Sequence, residues 1–359
     1  MRRAVKITLK FATQSKRDKI NNLLEAYRAA VNFYIRSLWN TPGRLDKETL
    51  ARLDRTRLSA RYKSQALKQA LETVVATKKS AKTIKKYVSI PKFHGSATLD
   101  SKFVTIEEGH GSFDLIIRLS TLNSGQRIVL PTRKTRILNK WLAYPGARLI
   151  QGCSLSENQI TLFIELPDEP LRTTGSVLGI DLGINKLVST SDGNHYGRDF
   201  KLIRNKINRR KPGSKGRKRA YAERTNYIGR TLNQLPWNEV AVLGVEALHD
   251  MKRGKKPNRG KTFRRALAPW TYRQAITRIG HKAQENRVRL VAVDPRNTSR
   301  TCPASGCGTV SKDSRRGENF VCVSCSHTAD SDTVGAQNVL AKTLLFLGNV
   351  ESPRQNKAM

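Results

Sequence analysis

The chain has 359 residues and carries 67 Lys plus Arg against 28 Asp plus Glu, a formal net charge of +39. Such an excess repels itself and opposes compaction, so it calls for a polyanionic partner, nucleic acid ahead of an anionic membrane surface. No apolar run is long enough to span a membrane and "MRRAVKITLKFAT" is too weakly apolar for a secretory signal; two or three domains of a cytoplasmic protein, with no membrane partner, are the expectation.

"AVKITLKF" alternates and is rich in β-formers, so it reads as a strand. Over residues 15–39 the period lengthens. Ile20, Leu23, Leu24, Tyr27, Val31, Tyr34, Ile35 and Leu38 recur at three- and four-residue steps, the mark of one helix face. "TPGRLD" breaks it, and a second helical region, dense in Lys and Arg, covers residues 58–86. Residues 97–166 read as short strands: "KFVTIEEG", "FDLIIRLS", "QRIVLP", "ARLIQGCSLSE" and "QITLFIELP". Gly, Asn and Pro turns separate them, as in a small β-barrel or sandwich. The strand at 4–11 joins them, which makes the helical segment an insertion into a β-domain.

After the polar linker "DEPLRTTGS", a second domain opens on "VLGIDLGINKLVSTSDG", two apolar strands with a third near "HYGRDF". Residues 198–230 are strongly basic, with "NRRKPGSKGRKR" at the centre. "VAVLGVEAL" is an apolar strand, "KRGKKPNRGKTFRR" a second basic run without an acid, residues 270–286 a helix, and "RLVAVDP" a further apolar strand. Continuous apolar strands separated by helices indicate a largely parallel sheet covered on both faces. The polar stretch from 346 to 359 is expected to be disordered.

Four of the five cysteines cluster. Cys302, Cys307, Cys322 and Cys325 stand as C-x4-C, a gap of fourteen, and C-x2-C. Two close pairs at this separation suit four thiolates around Zn²⁺ at roughly 2.3 Å each, in a structural ribbon. Gly306 and Gly308 flank Cys307 in its turn. His327 is a spare ligand or a cap. Cys153 is alone and reads as a small buried apolar residue.

Three acids stand out by position. Asp181 ends one apolar strand, Glu246 lies in another, and Asp332 opens the helical pattern after the cysteines, with Asp330 as a rival two residues earlier. Each alone reads equally as a cap or a surface carboxylate. Together they could converge on one sheet edge, where they would repel unless a cation held them. Hard oxygen ligands suit Mg²⁺ or Mn²⁺, and two such ions about 3.5–4 Å apart would bind a scissile phosphodiester.

At this point the second half resembles the RuvC-like nuclease domain of the TnpB family, transposon-encoded RNA-guided endonucleases related to compact type V CRISPR effectors. "GIDLGINKLVS" matches the first RuvC motif and "LGVEALHDM" the second. "VDPRNTSRTCPASGCG", followed by "FVCVSCSHTADSDTVGAQNVL", matches the zinc ribbon with the third. The resemblance implies a multidomain α+β protein. It has a wedge-like N-terminal β-barrel at 1–14 and 88–170, with a helical recognition domain inserted at 15–87. An RNase H-like (RuvC) α/β domain follows at 175–345 and carries a zinc ribbon at 298–328. It implies metal-binding catalytic roles for Asp181, Glu246 and Asp332, zinc on the four cysteines, and guide RNA and target DNA as partners. The third motif departs from the family's D-x-N-A-A at Val334 and Gly335. Related readings are a nuclease-inactive RNA-guided repressor, a compact CRISPR effector of the same chemistry, and a DNA-joining transposase with a similar triad.

On that reading the basic runs grip nucleic-acid backbones. The candidates are Arg209, Arg210, Lys211, Lys215, Arg217, Lys218 and Arg219 in the first run, and Lys252, Arg253, Lys255, Lys256, Arg264 and Arg265 in the second. A solvated basic loop is the alternative for each. Ser64, Gln65, Lys68 and Gln69 are candidates for reading a duplex motif beside the target. Tyr34, Trp39 and Tyr62 either stack on bases or fill the core.

Overall fold

The computed structural model describes residues 1–40, 58–84, 87–122, 125–248 and 272–351, which divide into two compact units, Met1–Asp168 and Glu169–Met359.

In the first unit, β1 (Arg2–Thr8) leads into α1 (Gln14–Asn40) and α2 (Ala60–Ile84). The apolar stripe read on α1 is buried from Ile20 to Leu38, so Tyr34 is core. On α2, Tyr62, Ala66, Ala70 and Val74 recur every four residues and are buried, and the Tyr62 hydroxyl donates to the Ser120 carbonyl at 2.8 Å. The strands that follow are β2 (Ala97–Leu99), β3 (Val104–Glu108), β4 (Leu115–Ser120), β5 (Arg127–Thr132), β6 (Arg148–Leu155) and β7 (Gln159–Glu165). They pair as two antiparallel sheets, β1-β7-β6-β2 and β3-β4-β5. Strict inside–outside alternation on β4 and β7 shows each sheet burying one face. Cys153 is buried here, as expected, and burial pushes its thiol up to about 12. One element departs from the all-strand expectation: Arg136–Leu142 is a short helix, α3, whose N-cap Thr135 accepts from the Leu138 N–H at 3.2 Å.

The second unit carries a five-stranded sheet in the order β10-β9-β8-β11-β12. Its strands are β8 (Ser176–Asp181), β9 (Val188–Thr190), β10 (His195–Tyr196), β11 (Val240–Glu246) and β12 (Arg289–Val293). β8, β11 and β12 run parallel, and β9 and β10 fold back antiparallel. Where the sequence suggested basic loops, α4 (Phe200–Asn208) and α5 (Lys215–Leu232) form, and α6 (Tyr272–Glu285) follows β11. A small three-stranded sheet, β13 (Arg315–Arg316), β14 (Asn319–Val321) and β15 (Thr328–Asp330), leads directly into α7 (Ser331–Glu351). Helix α7 therefore runs past residue 346, into the stretch expected to be disordered; residues 352–359 lie outside the described residues.

The two faces of this sheet differ by strand parity. Leu178, Ile180, Leu243 and Val245 pack with Phe200, Ile228, Leu232 and Ile279 of α4–α6. The residues between them face α7. A Cβ on Gly179 would lie 2.3 Å from the Ala336 carbonyl oxygen, and one on Gly244 would lie 2.1 Å from Thr343 Oγ1. Two glycines opposite each other in the β8–β11 register thus let α7 press its backbone against the sheet.

Candidate active site and metal centre

Parity also aims the acids. Asp181 lies two residues past Gly179 and Glu246 two past Gly244, so both point to the α7 side at the C-terminal ends of adjacent parallel strands. Helix α7 begins over that edge. Its first turn holds Asp332, and a Cβ on Gly335 would sit 3.0 Å from Asp181 Oδ2. The departure at Gly335 therefore gives Asp181 room. Burial first, then the charges of Glu246 and Asp332, push the Asp181 carboxyl up to about 8, against Arg315 and the Leu182 N–H. Burial likewise raises Glu246 and Asp332. Three hard oxygen donors, with Asp181 raised by burial and by the charges of the other two, have the donor chemistry of a divalent-cation site.

Sequence reasoning missed the groups that hold these acids. The Thr298 hydroxyl donates to Glu246 Oε1 at 2.5 Å. Thr298 is held by Asn338 of α7, whose Nδ2 donates to the carbonyls of Thr298 and Thr301, both at 2.8 Å. Asn297, at φ 61°, turns the chain into this loop, a left-handed conformation that Asn tolerates. Lys342 Nζ donates to the Asp294 carbonyl at 2.8 Å, and the Tyr272 hydroxyl donates to the Glu246 carbonyl. Arg315 Nη2 stands 3.4 Å from Asp332 Oδ1 and is the cation nearest the acids from the small sheet. The only sequence signal for Tyr272, Asn297, Thr298 and Arg315 was their place between the second motif and Asp332, while Asn338 lies within the third motif and Lys342 just past it.

The rival carboxylate has other work. Asp330 Oδ1 accepts the N–H groups of Asp332 and Thr333 at 3.0 and 3.1 Å and so caps α7, while Oδ2 takes Lys186 Nζ at 2.5 Å. Burial raises its pKa, but the bonds from Lys186 and Thr333 hold it below the usual value.

The four cysteines form the second centre. Cys302–Cys325 and Cys307–Cys322 place their sulfurs 3.6 and 3.7 Å apart, and one donor atom from each of the four lies within 4.8 Å of the others. Four ligands at about 2.3 Å around a tetrahedral ion put sulfurs about 3.8 Å apart, so the quartet fits Zn²⁺. Gly306 and Gly308, at φ 76° and 60°, make the turns on either side of Cys307. His327 is outside the quartet; its carbonyl accepts from the Cys322 N–H at 2.9 Å. Among the described residues this is the one group of three or more His, Cys, Asp or Glu donors that meets this spacing, and the three carboxylates do not meet it.

The first basic run sits at the α4–α5 turn. Arg209, Arg210, Lys211, Lys215, Lys218 and Arg219 are exposed there. Arg217 is instead tied down, bonded to the Arg210 carbonyl and lying over the Tyr221 ring. Lys252, Arg253, Lys255, Lys256, Arg264 and Arg265 lie outside the described residues. On α2, Ser64 and Lys68 are exposed and Gln65 half-buried. Gln69 is committed internally: Oε1 accepts from the Tyr27 hydroxyl at 2.7 Å and Nε2 donates to the Ser96 carbonyl at 3.0 Å.

This architecture is found in compact nucleases of the Cas12f and CasPhi types. Residues 272–339, which include the cysteine quartet and Asp332, match the model of the Cas12f1-like TNB domain. The CRISPR-associated endodeoxyribonuclease Cas12f1 of Sulfoacidibacillus thermotolerans is 34% identical over 76 residues, 21% of this chain and 18% of that protein. The matched segment thus spans under a fifth of that relative's length. Two solved structures share the fold. The Cas12f1–sgRNA–target DNA complex matches with a TM-score of 0.52 and 15% identity over 90% of this chain and 81% of that one. The mini-RNA-guided endonuclease CRISPR-Cas phi3 gives 0.54 and 10% over 96% and 92%.

Proposed function

We propose that this protein is an RNA-guided DNA endonuclease of the TnpB type that hydrolyses phosphodiester bonds at a single RuvC-like site. The observation that carries the reading is the shared aim of Asp181, Glu246 and Asp332: two adjacent strand ends and one helix start, with the Asp181 carboxyl raised by burial and then by the other two. Strand order β10-β9-β8-β11-β12 with a helix laid across the parallel strands suits an RNase H-like domain at 175–345. The sheets of the first unit suit a wedge at 1–14 and 88–170, and α1 and α2 a recognition domain at 15–87. Transposon association follows from the motif resemblance alone.

The three carboxylates would hold Mg²⁺ or Mn²⁺, and the four cysteines Zn²⁺. The divalent ions would supply Lewis-acid activation of water and neutralise charge on the departing 3′-oxygen. The protein's own part is orientation. Thr298 fixes the Glu246 carboxylate, and Gly335 leaves Asp181 its rotamer. The Asp330 cap holds the first turn of α7, and Arg315 offers a cation to the developing phosphorane charge. Guide RNA and target DNA are the proposed partners, gripped through a chain of charge +39.

The test is to sequence RNA that copurifies with the protein, then to supply that RNA, Mg²⁺ and a matched DNA. A defined scaffold with a variable end, followed by cutting, is expected. Tight binding without cutting would overturn the nuclease and leave an RNA-guided repressor.

A further inference from the structure

Beside the acids the second unit has a cavity of about 410 Å³ lined by Asn185, Lys186, His195, Arg198, Lys201, Glu318 and Asp330. Most of this lining is internally satisfied. Glu318 Oε1 accepts from Asn185 Nδ2 at 3.0 Å, and Asp330 serves Lys186 and the first turn of α7. His195 Nδ1 bonds Ser189 Oγ at 2.8 Å, and desolvation keeps its imidazole below the usual range, so it adds no charge at neutral pH.

Two cations remain. Arg198 and Lys201 are exposed, and among the described residues neither side chain has a hydrogen bond or ion pair. Lys201 sits in the first turn of α4, where the helix end is itself partly positive and a lysine is disfavoured. The cavity adjoins the acids through the chain itself, because the Asp330 that lines it accepts the N–H of Asp332.

We infer that this cavity is a subsite for a backbone phosphate of the strand led to the acids, held by Arg198 and Lys201 a nucleotide or two from the bond to be cut. It rests on the nuclease reading for what lies next to it, but its binding does not need cleavage.

The test uses the full-length protein with its copurified RNA. The probe is a fluorescein-labelled single-stranded DNA oligonucleotide, followed by anisotropy across a salt series without added Mg²⁺. The Arg198→Ala/Lys201→Ala double variant should weaken binding about tenfold and make the log–log salt dependence shallower by about 1.4, two single-strand phosphate contacts. Lys206→Ala is the control: it is on the same helix, bonded to Glu223 and outside the cavity, and should leave the slope unchanged. An unaltered slope in the double variant, or an equal loss in the control, would overturn the subsite. Displacement of the oligonucleotide by inorganic phosphate at equal concentration would also overturn it, because the site would then take free anions rather than a strand. Asp181→Ala should bind with the full slope. If no cutting is seen with any nucleic acid, the nuclease reading fails while the slopes still decide the subsite.

Discussion

Thr298 gives its hydroxyl proton to Glu246 across 2.5 Å, and its own carbonyl is held by Asn338 of α7 at 2.8 Å. One residue thus couples, through its hydroxyl and its carbonyl, the carboxylate at the end of β11 to the helix that carries Asp332. Outer hydrogen-bond partners of metal-binding groups typically contribute 10–100-fold in affinity or activity. Thr298→Val keeps the shape and removes the donor. It is expected to slow cleavage by about that factor and to move the Mg²⁺ titration to higher concentration, while Thr298→Ser restores both. Full activity in the valine variant would remove Thr298 from the site.

Asp181 makes opposite demands on folding and on cleavage. Its carboxyl is raised to about 8 by burial and by Glu246 and Asp332. Between the ordinary carboxylate range and pH 8 the folded, metal-free protein therefore holds a proton that the unfolded chain releases. The stability contributed by this group is complete at low pH and falls as pH rises through that window. Asp181→Asn removes the penalty. At pH 8 without divalent ions it should melt higher than the parent, on a scale of about 2–4 °C per kcal/mol for a unit of this size. Mg²⁺ should raise the parent's Tm and not the variant's. Cutting should fall by about a thousandfold or more, equivalent to about 4 kcal/mol of barrier, with RNA binding retained. A lower Tm together with lost RNA binding would make Asp181 a folding residue.

The legible parts were those in which chemistry fixes spacing or burial fixes pattern. The cysteine pairs were readable because a tetrahedral ion demands close thiolates, and β8 and β11 because strands covered on both faces carry unbroken apolar runs. The α4–α5 hairpin was not readable. Its buried positions include Arg204 and Arg224, so arginines stand in the very stripe that should be apolar. The short α3 was hidden because Leu138 is its one buried residue, leaving the Thr135 cap as its only signal. Thr298 and Arg315 escaped because their partners are 52 and 17 residues away, beyond any local pattern.

Four polar residues of α2 looked equivalent in sequence and are not. The Gln69 amide joins Tyr27 of α1 to Ser96 ahead of β2. Gln69→Ala leaves these groups unsatisfied and should destabilise the first unit by about 1–3 kcal/mol, visible as a lower Tm. Ser64→Ala and Lys68→Ala remove exposed groups and should leave stability within about 0.5 kcal/mol of the parent, with Tm essentially unchanged. If this face reads a duplex motif, only the latter pair changes which flanking sequences are cut, measured on a randomised target library.

Gly179 tests whether α7 sits on the sheet as closely as its backbone indicates. A methyl there meets the Ala336 carbonyl oxygen at 2.3 Å and the Leu340 nitrogen at 2.5 Å, atoms of a helix that cannot turn away singly. Gly179→Ala should cost about 1–3 kcal/mol by overpacking, and should reduce cutting further by lifting Asp332 from Asp181. Gly348→Ala, where an added Cβ meets nothing within 4 Å, is the control and should be neutral or stabilising. Equal melting of the two variants would rule out the close approach.

Zinc should matter to cleavage although it stands apart from the acids. Strand β15 ends at Asp330 and α7 starts at Ser331, whose N–H donates to the Glu318 carbonyl at 2.8 Å within the small sheet. Arg315 of that sheet faces Asp332 at 3.4 Å. The ribbon is thus the frame on which the last acid and its cation are mounted. Structural Zn²⁺ binding is worth about 10–16 kcal/mol in small finger peptides, more than so small a sheet gains from its own core. The purified protein should contain about one zinc per chain, and Cys322→Ala should contain none. The variant should be clipped by protease between residues 302 and 330 and should lose cleavage, while its first unit melts as in the parent. A zinc-free Cys322→Ala protein that cuts at the parent rate would separate the ribbon from the site and leave Asp332 held by α7 alone.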